Sequence, residues 1–146
     1  MSSHSEQRVI SCSPERFFDI VADVESYPVF LPFWRNAKVY RRVGDVYYTR
    51  QEIGIGPVRE SFLSKTVLQP PTQIDIVSSE PMFQEFAIHW KFRPTPEGGC
   101  RVRFKLSIEA RSGLLRKVMN AMLADTARGM VSAFERRAAE LYGPQR

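Results

Sequence analysis

The stretch from Gly113 to Tyr142 decides what this chain can fold into. Ser112 offers a capping oxygen before it, Gly143 supplies a left-handed stop, and Pro144 forbids continuation. Between these signals Leu115, Val118, Met119, Met122, Leu123, Ala127, Met130, Val131, Phe134, Ala138 and Leu141 recur at three- and four-residue steps. That is the period of one helical face. At about 1.5 Å per residue, a helix over 113–142 is roughly 45 Å long. An apolar face of that length has to lie across something equally broad, and the segments ahead of it read mostly as strands. The expected architecture is α+β: a curved antiparallel sheet of about seven strands wrapped around one long C-terminal helix.

The earlier segments fill in that plan. Residues 1–5 are expected as a disordered tail, and Glu6 to Ser11 as a short first strand around Val9 and Ile10. Ser13-Pro14-Glu15 is a strong helix start: a hydroxyl cap, a proline at the first helical position and an acid at the positive end of the dipole. Phe17, Phe18, Ile20, Val21 and Val24 make that helix apolar around most of its circumference, so it is expected buried. Tyr27-Pro28 interrupts it, and a second short helical turn ends at Pro32.

From about Phe33 the period changes to two. Gly44-Asp45 turns one strand into the next, and Gly54-Ile55-Gly56-Pro57 reads as a loop at the rim. Facing along 58–69 is ambiguous, because Phe62 has one parity and Leu63 and Val67 the other. The last two strands are clear. Phe86, Ile88, Trp90 and Phe92 oppose His89, Lys91 and Arg93, then Val102, Phe104, Leu106 and Ile108 oppose Arg101, Arg103, Lys105 and Glu109.

Size and charge set the limits. A chain of 146 residues fits a single domain spanning 1–146. No apolar run reaches the roughly eighteen residues of a membrane span, and Met1 to Arg8 has no signal-peptide core. The expected location is the cytoplasm, with a possible peripheral position on the inner face of the membrane. A net charge of +5 favours an anionic neighbour, a phospholipid surface or RNA, although the cations are spread along the chain and make no run of five. DNA is not expected. Cys12 and Cys100 stand far apart without a partner motif and are expected as reduced, strand-associated thiols, and no metal site or cofactor is expected. His4 lies in the tail and His89 has outward parity, so neither is placed as a base, and no nucleophile elbow or phosphate loop is present.

The surface shared by sheet and helix carries the question of function. Phe62, Ser64, Phe86, Ile88, Trp90 and Phe104 on the sheet, with Leu115, Met119, Met122 and Met130 on the helix, are the candidate lining. Periodicity alone leaves two readings open, a packed core or a lined cavity. Methionines adapt to flexible apolar ligands, which suits the second. Phe33, Trp34, Ile55, Met82 and Phe83 are the candidate entrance, and Arg50, Ser64 and Trp90 the candidate polar contacts.

A resemblance weighs on that choice. The phrases Phe17-Phe18-Asp19-Ile20-Val21-Ala22-Asp23-Val24, Tyr27-Pro28 and Phe30-Leu31-Pro32 resemble the opening of the coenzyme Q-binding and RatA-like branch of the START-like (polyketide cyclase) superfamily. Arg59-Glu60-Ser61-Phe62, Trp90-Lys91-Phe92, Cys100-Arg101-Val102 and Ala133-Phe134-Glu135-Arg136-Arg137-Ala138 fall where that branch has similar phrases. The chain departs from it at Phe33-Trp34-Arg35 and at Glu80-Pro81-Met82-Phe83.

The resemblance implies a helix-grip fold with two short helices after the first strand. It also implies non-catalytic binding and delivery of ubiquinone or a related polyprenyl lipid, in support of respiration or quinone biosynthesis. Its other side implies a RatA-like toxin that binds the large ribosomal subunit and blocks subunit association, and its wider superfamily a cyclase-like enzyme using Glu52 or Glu60. If Trp34 seats the entrance on a bilayer, Trp34→Ala is expected to weaken liposome association and leave thermal stability nearly unchanged.

Overall fold

The computed structural model describes the backbone of residues 2–143 and the side chains there other than those of 2, 55, 58, 114, 115 and 118–128. In chain order the strands are β1 (Ser2–Ile10), β2 (Trp34–Val43), β3 (Val46–Ile55), β4 (Val58–Gln69), β5 (Gln73–Val77), β6 (Phe83–Pro94) and β7 (Cys100–Ala110). Between β1 and β2 come α1 (Pro14–Ala22), a 3-10 turn (Val24–Ser26) and α2 (Tyr27–Phe30), and α3 (Gly113–Tyr142) follows β7. The strands form one curved antiparallel sheet in the order β1-β7-β6-β5-β4-β3-β2.

The helix signals act as their chemistry requires. Ser13 Oγ accepts the Arg16 N–H at 3.3 Å, and Pro14 opens α1. At the far end of α3, Gly143 takes φ +72° and donates its N–H to the Ala139 carbonyl at 2.8 Å. A side chain at that φ would be strained, so glycine ends the helix there.

Three expectations are corrected. β1 begins at Ser2 and pairs with β7 through Ser2↔Ile108 and Ser5↔Lys105, so residues 2–5 are strand rather than tail. Gly54 and Ile55 belong to β3, and the expected rim loop shrinks to Gly56-Pro57 between the paired residues Ile55 and Val58. Gly56 has φ +57°, the value that the first central residue of a two-residue hairpin turn needs, and Gly44 at φ +59° does the same between β2 and β3. Cys12 lies just past the end of β1 rather than on a strand, although both cysteines are buried and free as expected.

The ambiguity in β4 also resolves. Phe62, Ser64, Thr66 and Leu68 face the helices, while Leu63 and Lys65 are exposed on the outer face.

The core is centred on Phe134 of α3. Its ring meets Phe30 and Trp90 at 5.1 Å, Tyr27 at 5.4 Å and Phe17 at 6.4 Å, all edge-on. Edge-to-face contacts at these separations are the favoured aromatic geometry. One ring therefore ties α1, α2, α3 and β6 together. A polar latch lies beside it: Arg8 of β1 donates to Ser132 Oγ at 2.8 Å and pairs with Glu135 at 3.2 Å, and it also pairs with Glu6.

Phe134→Ala is expected to remove about 3–5 kcal/mol of stability, because the ring is 0% exposed and its neighbours cannot collapse into the space. Leu141→Ala on the same helix, where the side chain is 51% exposed, is expected to change stability by less than about 0.5 kcal/mol. Denaturant unfolding of the two variants checks the contrast.

Candidate ligand-binding site

β5 is short, and that fact shapes the concave face. It has 5 residues against 12 in each of β4 and β6, and it pairs only with 65–69 of β4 and 87–91 of β6. Beyond its end no strand separates β4 from β6. Ser78 bridges the gap instead, donating its N–H to the Phe86 carbonyl at 3.2 Å and its hydroxyl to the Leu63 carbonyl at 2.6 Å. Across it Phe62 meets Phe86 at 5.1 Å and Phe83 at 5.4 Å, and Phe83 meets Phe86 at 4.9 Å. This aromatic group forms one rim of the sheet.

Beside it the concave face turns polar. Tyr47, Thr49, Gln51 and Ile53 of β3 point inward and are buried, as are Ser64 and Thr66 of β4. Thr49 stands opposite Ser64 in the ladder, and Gln51 opposite Phe62. The two hydroxyl oxygens of Thr49 and Ser64 are 2.5 Å apart, and Gln51 Nε2 lies 3.0 Å from each. Trp34 Nε1 donates to Gln51 Oε1 at 2.7 Å. Tyr47 donates its hydroxyl to the Ala22 carbonyl at 2.9 Å, and burial pushes its phenol up to about 12, so it stays neutral. Among the described residues the buried polar side chains are Thr49, Gln51, Ser64, Thr66 and Ser107, and none of these carries a charge.

The expected lining residues separate into two groups. Phe62, Ser64, Phe86 and Ile88 are buried on the concave face, the first three at or beside the rim. Trp90 and Phe104, also concave, meet each other at 4.5 Å, and Trp90 packs on Phe17 and Phe134, so they sit in the ring-filled end of the interior. Met130 is buried on α3. The side chains of Leu115, Met119 and Met122 lie outside the described residues.

At the expected entrance, Phe83 is buried in the rim group, and Met82 and Phe33 are half-buried against the core. The Ile55 side chain is again outside the described residues. Phe33 has φ +71°, a left-handed conformation that costs a bulky residue on the order of 1–3 kcal/mol. Its carbonyl accepts the Gly54 N–H at 2.9 Å, which holds that turn against β3.

Two assignments change. Arg50 is exposed on the outer face and does not reach the interior. Trp34 is tied inward by Gln51 and by an edge contact of 6.4 Å with Tyr27, so it is a member of the polar group. Thr49, Gln51 and Thr66 were missed. Their signal is the alternation Tyr47, Thr49, Gln51, Ile53 against Tyr48, Arg50, Glu52, in which every second residue is uncharged.

Other ionisable groups near the site are few among the described residues, and one of them, Glu85 between Phe83 and Phe86 on β6, has its Oε1 buried without a hydrogen-bond partner. Glu52 pairs with Arg59 at 3.6 Å on the outer surface, and Glu60 is half-buried on the concave parity. Cys12 and Cys100 are buried, and burial pushes the Cys100 thiol up to about 12, which removes its nucleophilic form. Among the described residues no group of acidic, histidine and cysteine side chains is placed to hold a metal, and no helix is long and apolar enough to cross a membrane.

The outer face differs in kind. Arg93 stands opposite Arg101, Lys91 opposite Arg103 and His89 opposite Lys105. Like charges facing each other across a ladder oppose folding, so the Arg93–Arg101 and Lys91–Arg103 rungs concentrate positive charge without helping the sheet. Beside them runs a groove of about 820 Å³ whose lining includes Gln7, Gln73, His89, Lys91, Arg103 and Lys105. His89 Nδ1 lies 2.6 Å from Asp75 Oδ1.

Comparison with known proteins agrees with this geometry. The family described as polyketide cyclase / dehydrase and lipid transport matches residues 10–135. Over 97% of its length the chain is 32% identical to coenzyme Q-binding protein COQ10 homolog B, mitochondrial, of Xenopus laevis, of which it spans 60%. It is 28% identical to the ribosome association toxin RatA of Pseudomonas aeruginosa, over 98% of this chain and 100% of that one. Among solved structures, an aromatase/cyclase from a Streptomyces species superposes with a TM-score of 0.80 at 12% identity, covering 94% of this chain and 93% of that one. A START superfamily protein of Mycobacterium smegmatis superposes with a TM-score of 0.79 at 18% identity, covering 95% of this chain and 98% of that one. These likenesses show the START-like helix-grip fold.

Because Trp34 holds a buried acceptor, Trp34→Ala is expected to cost about 2 kcal/mol through the orphaned Gln51 oxygen, where a surface anchor would cost nothing. Trp34→Phe should recover the packing on Tyr27 and lose only the hydrogen-bond part. Thermal unfolding of the pair separates the two contributions.

Proposed function

We propose that this chain, which belongs to the polyketide cyclase / dehydrase and lipid transport family, is a non-catalytic carrier of a polyprenyl quinone or a similar lipid with a polar head. The observation that carries this reading is the amphipathic concave face. Phe62, Phe83 and Phe86 stand directly beside the buried uncharged group of Thr49, Gln51 and Ser64. A quinone needs that pairing, apolar walls for its tail and a few neutral hydrogen-bonding groups for its head. The family's relatives with coenzyme Q-binding names support the same ligand class. A carrier of this kind works in the cytoplasm and visits the inner face of a membrane to load and unload.

Organic extracts of the purified protein are expected to contain a co-purifying polyprenyl quinone, detected by mass spectrometry. Ile88→Arg, which puts a charge on the concave face, should leave the extract empty. An extract without quinone from the unmodified protein would defeat the reading.

A second reading, ribosome association, is favoured by one feature of the outer face. The two cationic rungs of β6 and β7, Arg93–Arg101 and Lys91–Arg103, are suited to a phosphodiester backbone, and several relatives are ribosome association toxins. It predicts salt-sensitive co-sedimentation with the large ribosomal subunit that Lys91→Glu with Arg103→Glu abolishes.

A further inference from the structure

The polar group on β3 and β4 brings more hydrogens than the contacts among its members use. Trp34 Nε1 is donor-only, so the Gln51 atom 2.7 Å from it must be the carbonyl oxygen. That leaves Nε2 beside Thr49 and Ser64, 3.0 Å from each; the two oxygens lie so close together that one amide hydrogen points between them while the other diverges. The amide nitrogen and the two hydroxyl oxygens then form a closed triangle, whose third side is the 2.5 Å contact between Thr49 and Ser64. The three sides consume at most three hydrogens. The amide and the two hydroxyls bring four. Whichever hydroxyl donates to the other, the second keeps an O–H directed at none of its three companions, and one lone pair stays free on the neighbouring oxygen.

This surplus is buried. Thr49 is 0% exposed, and Gln51 and Ser64 are each 4% exposed. A buried hydroxyl hydrogen without an acceptor is costly, and such groups in folded proteins nearly always have a partner.

We infer that the triangle of Thr49, Gln51 and Ser64 is a docking point for the head of the bound lipid, and that the head presents an acceptor oxygen of the quinone carbonyl class. The spare O–H donates to that oxygen. Because the hydrogen bond between Thr49 and Ser64 reverses without any heavy atom moving, the spare O–H can fall on Ser64, the less enclosed of the two. The adjoining rings of Phe62 and Phe86 supply the wall against which a flat head group lies. This inference rests on the carrier reading and adds to it the place and polarity of the head.

The test compares two probes, a benzoquinone bearing a decyl chain and decylbenzene, which has the same tail and no oxygen. The unmodified protein is expected to bind the quinone about tenfold more tightly, the ratio that one buried hydrogen bond provides. The bound quinone should also show a carbonyl stretch at lower wavenumber than in hexane.

Thr49→Val, Gln51→Leu and Ser64→Ala together, made in a Trp34→Phe background so that no indole N–H is orphaned, leave apolar groups of similar shape. That variant is expected to fold, to bind decylbenzene as before, and to lose both the preference and the wavenumber shift. Gln51→Glu provides a second route, since its carboxylate draws both hydroxyl hydrogens to itself and should weaken quinone binding in the same direction. Equal binding of the two probes by the unmodified protein, or a preference that survives in the triple variant, would overturn the docking point while leaving the carrier reading in place. Failure of the unmodified protein to bind either probe would overturn both.

Discussion

The edge-on packing of Phe134 is the contact on which the rest of the structure depends. It sits in the C-terminal part of α3 and touches rings from α1, α2 and β6. Without it the two short helices between β1 and β2 would have no common support, since α2 is only 4 residues long and cannot persist alone. Tyr27 shows how tightly that support is drawn. It packs on Phe134, donates its hydroxyl to the Val21 carbonyl, and forms the wall on which Trp34 rests. The position of Trp34, and through it the orientation of Gln51, therefore follows from a ring on a helix more than eighty residues away.

That packing also divides the interior. Phe17, Trp90, Phe92 and Phe104 fill the region around Phe134 with contacts of 4.5 to 6.2 Å. Space enclosed by such contacts is filled to the density of a protein core. The other end is different because β5 stops early, so that β4 and β6 are joined there by a bridging serine and a group of three phenylalanines. The interior thus has a solid end and a rim end, and the polar group lies on the β3 and β4 side toward the rim.

The ends of α3, the start of α1 and the facing of β6 and β7 were all legible in the sequence, because each rests on local chemistry: a cap, a glycine stop, or an alternation of aromatic and charged residues. The β4 strand was not, and the reason is physical. Alternation assigns the apolar parity to the inside, but Ser64 and Thr66 are buried while Leu63 is exposed, so the rule meets opposing signals in one strand. The same polarity hid Thr49 and Gln51. Trp34 was misread for a related reason: an indole beside prolines and an arginine looks like a surface anchor until its nitrogen is seen to have a buried partner. Residues 2–5 are polar and were expected as a tail, yet their backbone completes the sheet edge against β7, a role that does not depend on side-chain polarity.

A core built only for stability would have no use for this arrangement. Replacing a buried polar network by apolar side chains of the same shape is close to neutral, so the hydrogen bonds among Thr49, Gln51 and Ser64 add little to folding. What they add is direction, because the polar atoms hold a fixed place within a surface that is otherwise indifferent to how an apolar molecule lies on it. Under the carrier reading this determines the order of the ligand. A chain of this length has a radius of gyration of about 15 Å, too small for a long prenyl tail to lie extended within it, and the end around Phe134 is already filled by rings. With its head held at β3 and β4, the tail has one direction left, past Phe62, Phe83 and Phe86 toward the rim. Release to a membrane then begins with the tail and ends with the head, and the hydrogen bond at the head is the last contact to break.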